Sequence, residues 1–175
     1  MTALHPPERI WWKPADRWEK LWITLAFLWA FGTFLMMPIW HFTAKQNPTG
    51  MSKRVDPQEY QRVYEDFVSQ YKVGEEQGLP VVEPPPGGDV YILARQFFWE
   101  PVLRLKKGQE YRIHMSSLDV QHGFSLQPVN MNFMVLPGWD YTLTFTPTQE
   151  GTYTVICNEF CGLGHHMMTG RIYVE

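Results

Sequence analysis

The chain has 175 residues, with 15 Lys and Arg against 18 Asp and Glu and a formal net charge of −3. A charge this small, without a basic stripe, excludes a nucleic-acid-binding protein. The length allows one domain of ordinary size and an appendage. Eight Trp, eleven Phe and nine Met are many for a small soluble protein.

An apolar segment follows an N-terminal flank at residues 1–20. Residues 21–44 contain no Asp, Glu, Lys or Arg, and about 20 such residues in a helix cross the hydrocarbon core of a membrane. Trp18, Trp22 and Trp40 lie near its two ends, where indole rings favour the headgroup region. A cleaved signal peptide would have a shorter apolar region and a small-residue cleavage site. The segment therefore predicts a retained transmembrane helix at 21–44.

Residues 45–88 are predicted to be a linker with a short amphipathic helix at about 57–72. Asp56 can cap this helix, and Pro57 suits its first position. Apolar residues then recur on one helical face: Tyr60, Val63, Tyr64, Phe67 and Tyr71. The proline and glycine run at 84–88 is typical of a linker.

Short strands are predicted from residue 89 to 175. Segments rich in β-branched and aromatic residues alternate with turn residues, at 90–94, 102–105, 111–115, 142–145, 153–156 and 172–174. Many short strands at this spacing predict an antiparallel sandwich or barrel. A β domain of this size has a small core, so a metal that ties its loops together would stabilise it.

The segment from Cys157 to Met168 carries the chemistry. It offers two thiols, the His165 imidazole and a thioether, and His122 can add a second imidazole from an earlier part of the chain. Cys, His and Met together are soft or borderline ligands, which favour copper over hard cations.

Several sites fit these residue types. A disulfide between Cys157 and Cys161 leaves His165 and Met168 unexplained, and a structural zinc site of two Cys and two His leaves out Met168. A blue-copper site needs only one Cys. Two thiolates that bridge two coppers use every group, if a loop carbonyl, that of Glu159, supplies the second weak ligand. The ligand count favours this dinuclear site, and zinc stays open.

The loop C-N-E-F-C-G-L-G-H-H-M-M resembles the Cu(A) loop of cytochrome c oxidase subunit II, with its pattern C-x-E-x-C-G-x-x-H-x-x-M. The segment D-V-Q-H that ends at His122 is similar to an upstream strand end of this family. The segment Q-F-F-W, with Phe97 and Trp99, resembles the aromatic stretch beside the site and implies an electron-transfer role for both residues.

The resemblance implies a cupredoxin-like Greek-key barrel at 89–175, behind one transmembrane helix. It implies side-chain ligands to a dinuclear Cu(A) centre from His122, Cys157, Cys161, His165 and Met168, and a backbone ligand from Glu159. In related chains the carboxylate at the position of Glu159 helps to hold Mg²⁺, whose other ligands would lie on another chain.

A single span and a short chain resemble the B-type oxidases. The segment W-E-K-L-W before the span is similar to their proton-path entry, which makes Glu19 a candidate for that role; the alternative is that Glu19 only reaches the interface beside Lys20. The resemblance implies a bacterial or archaeal plasma membrane, a cytoplasmic N-terminus, a periplasmic β domain and contact of the chain with membrane lipid.

The implied function is electron entry into a proton-pumping cytochrome c oxidase. The chain would accept electrons from cytochrome c and pass them to haem in subunit I, which also holds a second copper and reduces oxygen. The alternatives are a membrane-anchored copper carrier or assembly protein and a structural zinc-binding β domain. Nitrous oxide reductase resembles only the loop and carries a large propeller domain, for which 175 residues leave no room.

Overall fold

A computed structural model of the protein describes residues 14–43, 50–129 and 131–175. The chain divides into two compact units, Met1–Gln46 and Asn47–Glu175. The first contains one helix, and the second contains the β structure and a shorter helix.

The helix of the first unit, α1, spans Arg17–Thr43. It begins four residues before the predicted segment because Asp16 caps it: the Asp16 carboxylate accepts hydrogen bonds of 2.8 Å from the backbone N–H groups of Trp18 and Glu19. The helix is long and apolar enough to cross a membrane, judged by length and composition. Most of the predicted N-terminal flank, residues 1–13, and residue 44 lie outside the described part of the chain.

The second unit contains two β-sheets. The strands are β1 Met51–Arg54, β2 Lys72–Glu76, β3 Leu79–Val82, β4 Asp89–Arg95, β5 Phe98–Glu100, β6 Val102–Leu105, β7 Tyr111–Ser117, β8 His122–Gln127, β9 Met131–Val135, β10 Trp139–Phe145, β11 Gly151–Ile156 and β12 Thr169–Val174. The first sheet has five strands in the order β1-β10-β7-β4-β5, and the second has seven in the order β2-β3-β6-β12-β11-β8-β9.

The sheets are mixed, whereas the strand pattern predicted an antiparallel structure. The strand pairs β4 with β7, β3 with β6, and β6 with β12 are parallel. Parallel neighbours arise because the chain crosses between the sheets: β5 belongs to the first, β6 to the second, and β7 to the first again. Strands that are consecutive in sequence therefore often lie in different sheets.

Residues 50–88 contain the predicted short helix, and they also contain strands where a linker was expected. Strand β1 pairs with β10, and β3 pairs with β6. Helix α2 spans Pro57–Tyr71, capped by Asp56, and packs on the first sheet: the Tyr60 hydroxyl donates a 2.9 Å hydrogen bond to the Ile92 carbonyl, and Phe67 joins the main core. The short strands of this region are stabilised by pairing with distant parts of the chain, which local composition does not reveal.

One core of buried side chains is shared by the two sheets. Along β12 the buried residues alternate with more exposed ones, as expected for a strand with one face on the core. The core includes Val90, Ile92, Ile113, Met115, Leu143, Leu103, Phe124, Leu126, Val155 and Ile172. It continues without a break to Cys157, Cys161 and Met168, so the candidate site lies at one edge of the core.

Candidate metal centre

The loop from Cys157 to Met168 joins two paired strands. Strands β11 and β12 are paired, and the last pair before the loop joins Ile156 to Thr169. A 3.1 Å hydrogen bond from the Cys157 N–H to the Met168 carbonyl closes the loop. A short 3₁₀ helix, His165–Met167, returns the chain to β12. Strand β8 pairs with the other edge of β11, and its first residue, His122, is thereby brought beside the loop.

The side chains predicted as ligands converge. The Sγ atoms of Cys157 and Cys161 lie 3.7 Å apart and are free thiols. His122 Nδ1 lies 3.9 Å from Cys157 Sγ. His165 Nδ1 and Met168 Sδ each lie 3.7 Å from Cys161 Sγ.

The donors divide into two similar halves. The neighbours of Cys157 Sγ are the His122 imidazole and, at 3.2 Å, the Glu159 backbone oxygen. The neighbours of Cys161 Sγ are the His165 imidazole and the Met168 thioether. His122 Nδ1 and the two Sγ atoms lie within 4.8 Å of one another and can hold a metal ion. His165 is not part of that compact group. The two imidazoles therefore neighbour different thiols, His122 beside Cys157 and His165 beside Cys161.

His122 is fully buried and is held in one orientation by Asp119. The distance from His122 Nε2 to Asp119 Oδ1 is 2.8 Å. Because a carboxylate can only accept, Nε2 donates this hydrogen bond, and Nδ1 faces Cys157. Burial would raise the pKa of Asp119, but hydrogen bonds from His122 and from the backbone N–H groups of Gln96 and Val120 outweigh it and hold the pKa below its usual value.

The two thiols are buried. Cys157 and Cys161 are each 4% exposed, and Met168 is 1% exposed. Burial, reinforced by the hydrogen bond and the charge of the neighbouring Cys157, raises the pKa of Cys161 to about 11. Thiolates at this position need a compensating cation, which a metal ion supplies while displacing the proton.

Three glycines allow close packing around the loop. A methyl group on Gly123, next to His122, would clash with the Asn158 side chain and lie 2.8 Å from the Glu159 backbone nitrogen. Methyl groups on Gly162 and Gly164 would press into the Phe97 ring, at 3.2 Å for Gly162. The roles of Gly123, Gln96 and Asp119 were missed at the sequence level. Only Asp119, three residues before His122, offered a local signal for its role.

The two aromatic residues predicted for electron transfer both contact the centre. The half-buried Phe97 ring packs on the glycine backbone of the loop. The Trp99 ring is 1% exposed, with its centroid 6.0 Å from that of His122 in an edge-to-face arrangement. Among the described residues, the Trp99 indole N–H finds no acceptor. Glu19 lies in the other unit, exposed in the first turn of α1.

An apolar surface, here called the loop face, covers the centre on the solvent side. It is formed by Phe160, Leu163 and Met167, which are 75%, 95% and 66% exposed. The Phe160 ring lies edge-on to His165, with centroids 5.9 Å apart. The same loop thus directs the predicted metal ligands inward and large apolar side chains outward.

Comparisons with known proteins point to one family. The family model described as cytochrome c oxidase subunit II, periplasmic domain, matches residues 94–174. Cytochrome c oxidase subunit 2 of Thermus thermophilus is 35% identical over 162 residues, which cover 90% of this chain and 92% of the relative.

Solved structures of similar fold include an oxidase chain and a copper protein. A chain of a haem-copper terminal oxidase dimer aligns with a TM-score of 0.57 at 25% identity, over 91% of this chain and 100% of that one. A variant of the copper protein rusticyanin aligns with a TM-score of 0.55 at 17% identity, over 73% of this chain and 100% of its own. The predicted fold class, an N-terminal apolar helix followed by a cupredoxin-like β domain, is confirmed.

Proposed function

Because the chain belongs to the cytochrome c oxidase subunit II family, we propose that it is the electron-entry subunit of a respiratory oxidase. It accepts electrons from a cytochrome c at a dinuclear copper centre and passes them to haem in subunit I, within an enzyme that reduces oxygen and pumps protons. The observation that carries the proposal is the pair of buried thiols, each with its own imidazole and its own weak donor.

The residues fit two copper ions better than one zinc ion. Cys157 and Cys161 would hold the ions together with His122 and the Glu159 carbonyl, which lie beside Cys157, and with His165 and Met168, which lie beside Cys161. A mononuclear zinc site would need both imidazoles to converge with both thiolates, whereas each imidazole here lies beside a different thiol. The assignment uses only the backbone oxygen of Glu159, so its carboxylate can also serve a magnesium site completed by another chain.

The residues around the proposed centre orient its ligands and exclude water. A dinuclear copper group held by these residues would supply one-electron transfer with little structural change. Asp119 holds His122 in place, and the buried core around Met168 excludes water. The edge of Trp99 on His122 and the packing of Phe97 on the loop make both rings candidates for the electron path.

The loop face is the proposed contact for the cytochrome. It is apolar, and it belongs to the same loop that carries four of the proposed side-chain ligands, so a donor docked on it is separated from the copper centre only by that loop. The helix α1 anchors the chain in the plasma membrane in our proposal, with the N-terminus cytoplasmic and residues 50–175 on the extracytoplasmic side.

Metal analysis of the full-length chain, purified in detergent and loaded with copper, tests the proposal. We expect two coppers per chain and, in the mixed-valence form, a seven-line hyperfine pattern in the electron paramagnetic resonance spectrum from one electron shared by two nuclei. His165→Ala should lose this pattern, whereas His166→Ala, at the exposed neighbouring position, should keep it. A four-line signal or stoichiometric zinc would refute the dinuclear centre.

Association with a partner distinguishes an oxidase subunit from a copper carrier. Expressed with its natural neighbours, the chain should purify with a large, multi-span haem protein and support cytochrome c oxidation. A chain that purifies alone and passes its copper to other proteins would favour the carrier.

A further inference from the structure

Gln96 makes two hydrogen bonds that reach both halves of the candidate centre. It lies between β4 and β5, and its side-chain Nε2 donates to the carbonyl oxygen of Cys161. Its backbone N–H donates to Asp119 Oδ2 at 2.7 Å. The other oxygen of that carboxylate accepts from His122 Nε2 at 2.8 Å. One residue therefore connects the cysteine loop with His122, the first residue of β8.

The bond to Cys161 is unusual for an exposed glutamine. An exposed amide normally exchanges hydrogen bonds with water, and fixing a long side chain costs conformational entropy. Here the amide approaches the loop at Gly162, where a methyl group would lie 2.9 Å from Gln96 Nε2. Gly162 also has a φ of +131°, a conformation that disfavours other residues. The loop backbone is thus shaped to admit the amide.

The position of the Cys161 carbonyl affects the sulfur of the same residue. Fixing the backbone at Cys161 restricts where its Sγ can lie, and this Sγ is the atom within 3.7 Å of Cys157 Sγ, His165 Nδ1 and Met168 Sδ. Groups that orient metal ligands in this way commonly change metal affinity by about 10–100-fold when removed.

We propose that Gln96 is a positioning residue of the metal centre, an inference that rests on the proposed copper function. Its side chain holds the loop at Cys161, a contact here called the loop arm, and its backbone N–H, through Asp119, holds His122. The two arms keep ligands from separate segments at a constant spacing. A substitution of the side chain removes the loop arm alone, because the backbone N–H to Asp119 remains.

Three variants of the full-length chain test the loop arm. Gln96→Leu keeps the size of the side chain without the N–H donor, and the Gln96→Asn side chain is too short to reach the Cys161 carbonyl. Gln96→Glu places a carboxylate oxygen, which can only accept, against the carbonyl oxygen of Cys161. Gln109→Leu, at an exposed position in the turn after β6, is the matched control. Similar urea unfolding midpoints for all four would show that the chain remains folded.

Two measurements on copper-loaded protein are decisive. We expect Gln96→Leu and Gln96→Asn to release copper to a chelator roughly tenfold faster than the wild type. Their hyperfine splitting should also differ from that of the wild type. Gln96→Glu should change the rate of release and the splitting at least as much. Gln109→Leu should match the wild type. A merely structural role would change stability without changing the hyperfine splitting.

A third measurement uses the copper-free chain. With the loop arm removed, the buried thiols should react several-fold faster with an aromatic disulfide reagent, because the loop opens more often. Equal thiol reactivity, copper release and hyperfine splitting in Gln96→Leu and Gln109→Leu would overturn the inference. A wild-type chain that binds no copper would instead overturn the proposed function, and the thiol comparison would still decide whether Gln96 orders the loop.

Discussion

Replacing Gly123 by alanine should separate the two segments that carry the proposed ligands. Gly123 is a buried residue of β8, directly after His122. Its added methyl group would meet the Asn158 side chain and lie 2.8 Å from the backbone nitrogen of Glu159. Asn158 is exposed and can rotate away, but a backbone nitrogen moves only with the loop.

The size of the displacement follows from the contact distance. Ordinary van der Waals contact begins at about 3.4 Å, so the backbone at Glu159 must shift by about 0.6 Å. The carbonyl of that residue lies 3.2 Å from Cys157 Sγ, so the shift falls on the proposed weak ligand. Overpacking of this kind typically costs about 1–3 kcal/mol, and we expect a roughly tenfold faster release of copper.

Gly74→Ala is the matched control because nothing lies within 4 Å of the position its methyl group would take and its φ is ordinary. Such a substitution is neutral or stabilises by about 0.4–1 kcal/mol. Urea unfolding of the copper-free chains gives the stability difference, and chelator competition with paramagnetic resonance gives the effect on the centre. A Gly123→Ala chain as stable as Gly74→Ala, with wild-type copper release and hyperfine splitting, would refute the reasoning.

Three further predictions concern the surface, the span and the pH dependence. The loop face and residues 127–134 contain no charged residue, so the electron-transfer rate from cytochrome c should depend only weakly on salt; a steep fall from low to physiological ionic strength would contradict this. Glu19→Ala should slow oxygen uptake by the assembled enzyme about tenfold, because an ionisable residue at the edge of a span is a functional candidate, and should leave copper reduction in stopped-flow unchanged; wild-type oxygen uptake would rule out the proton-path role. The hydrogen bond from Arg112, assisted by one from His114, holds the pKa of Asp89 below its usual 3.8, so this stabilisation is present above the usual pKa and is lost as the pH falls through the lowered one. Wild type and Asp89→Asn should therefore differ in urea midpoint at neutral pH and converge in acid, and a constant difference would count against the ion pair.

The proposed ligand set could be predicted because most of it is local in sequence. Cys157, Glu159, Cys161, His165 and Met168 all lie in one hairpin loop, and the spacing of residue types in such a loop limits which of them can meet one metal centre. Six strands could be predicted for a similar reason, since their β-branched and aromatic residues lie in short runs between turn residues.

The strands before β4 could not be predicted in the same way, although helix α2 and its Asp56 cap could. The sequence of β1, Met-Ser-Lys-Arg, shows no alternation of apolar and polar residues, all four residues are exposed, and the strand pairs with the distant β10. The β2 and β3 hairpin is similarly held by a distant part of the chain: the Arg171 and Tyr173 side chains both donate to the Glu76 carboxylate. Composition alone therefore suggested a linker there.

The sequence by itself determined the fold class and the family, because an uncharged run of span length and a loop rich in soft ligands are both patterns of neighbouring residues. Only the tertiary structure decided how the donors divide into two halves and which residues hold them there. Gln96 reaches Cys161 across 65 positions, and Gly123 meets the loop at Asn158 and Glu159. Such contacts depend on which strands become neighbours, and strand pairing is set by the burial of the whole core instead of by any local pattern.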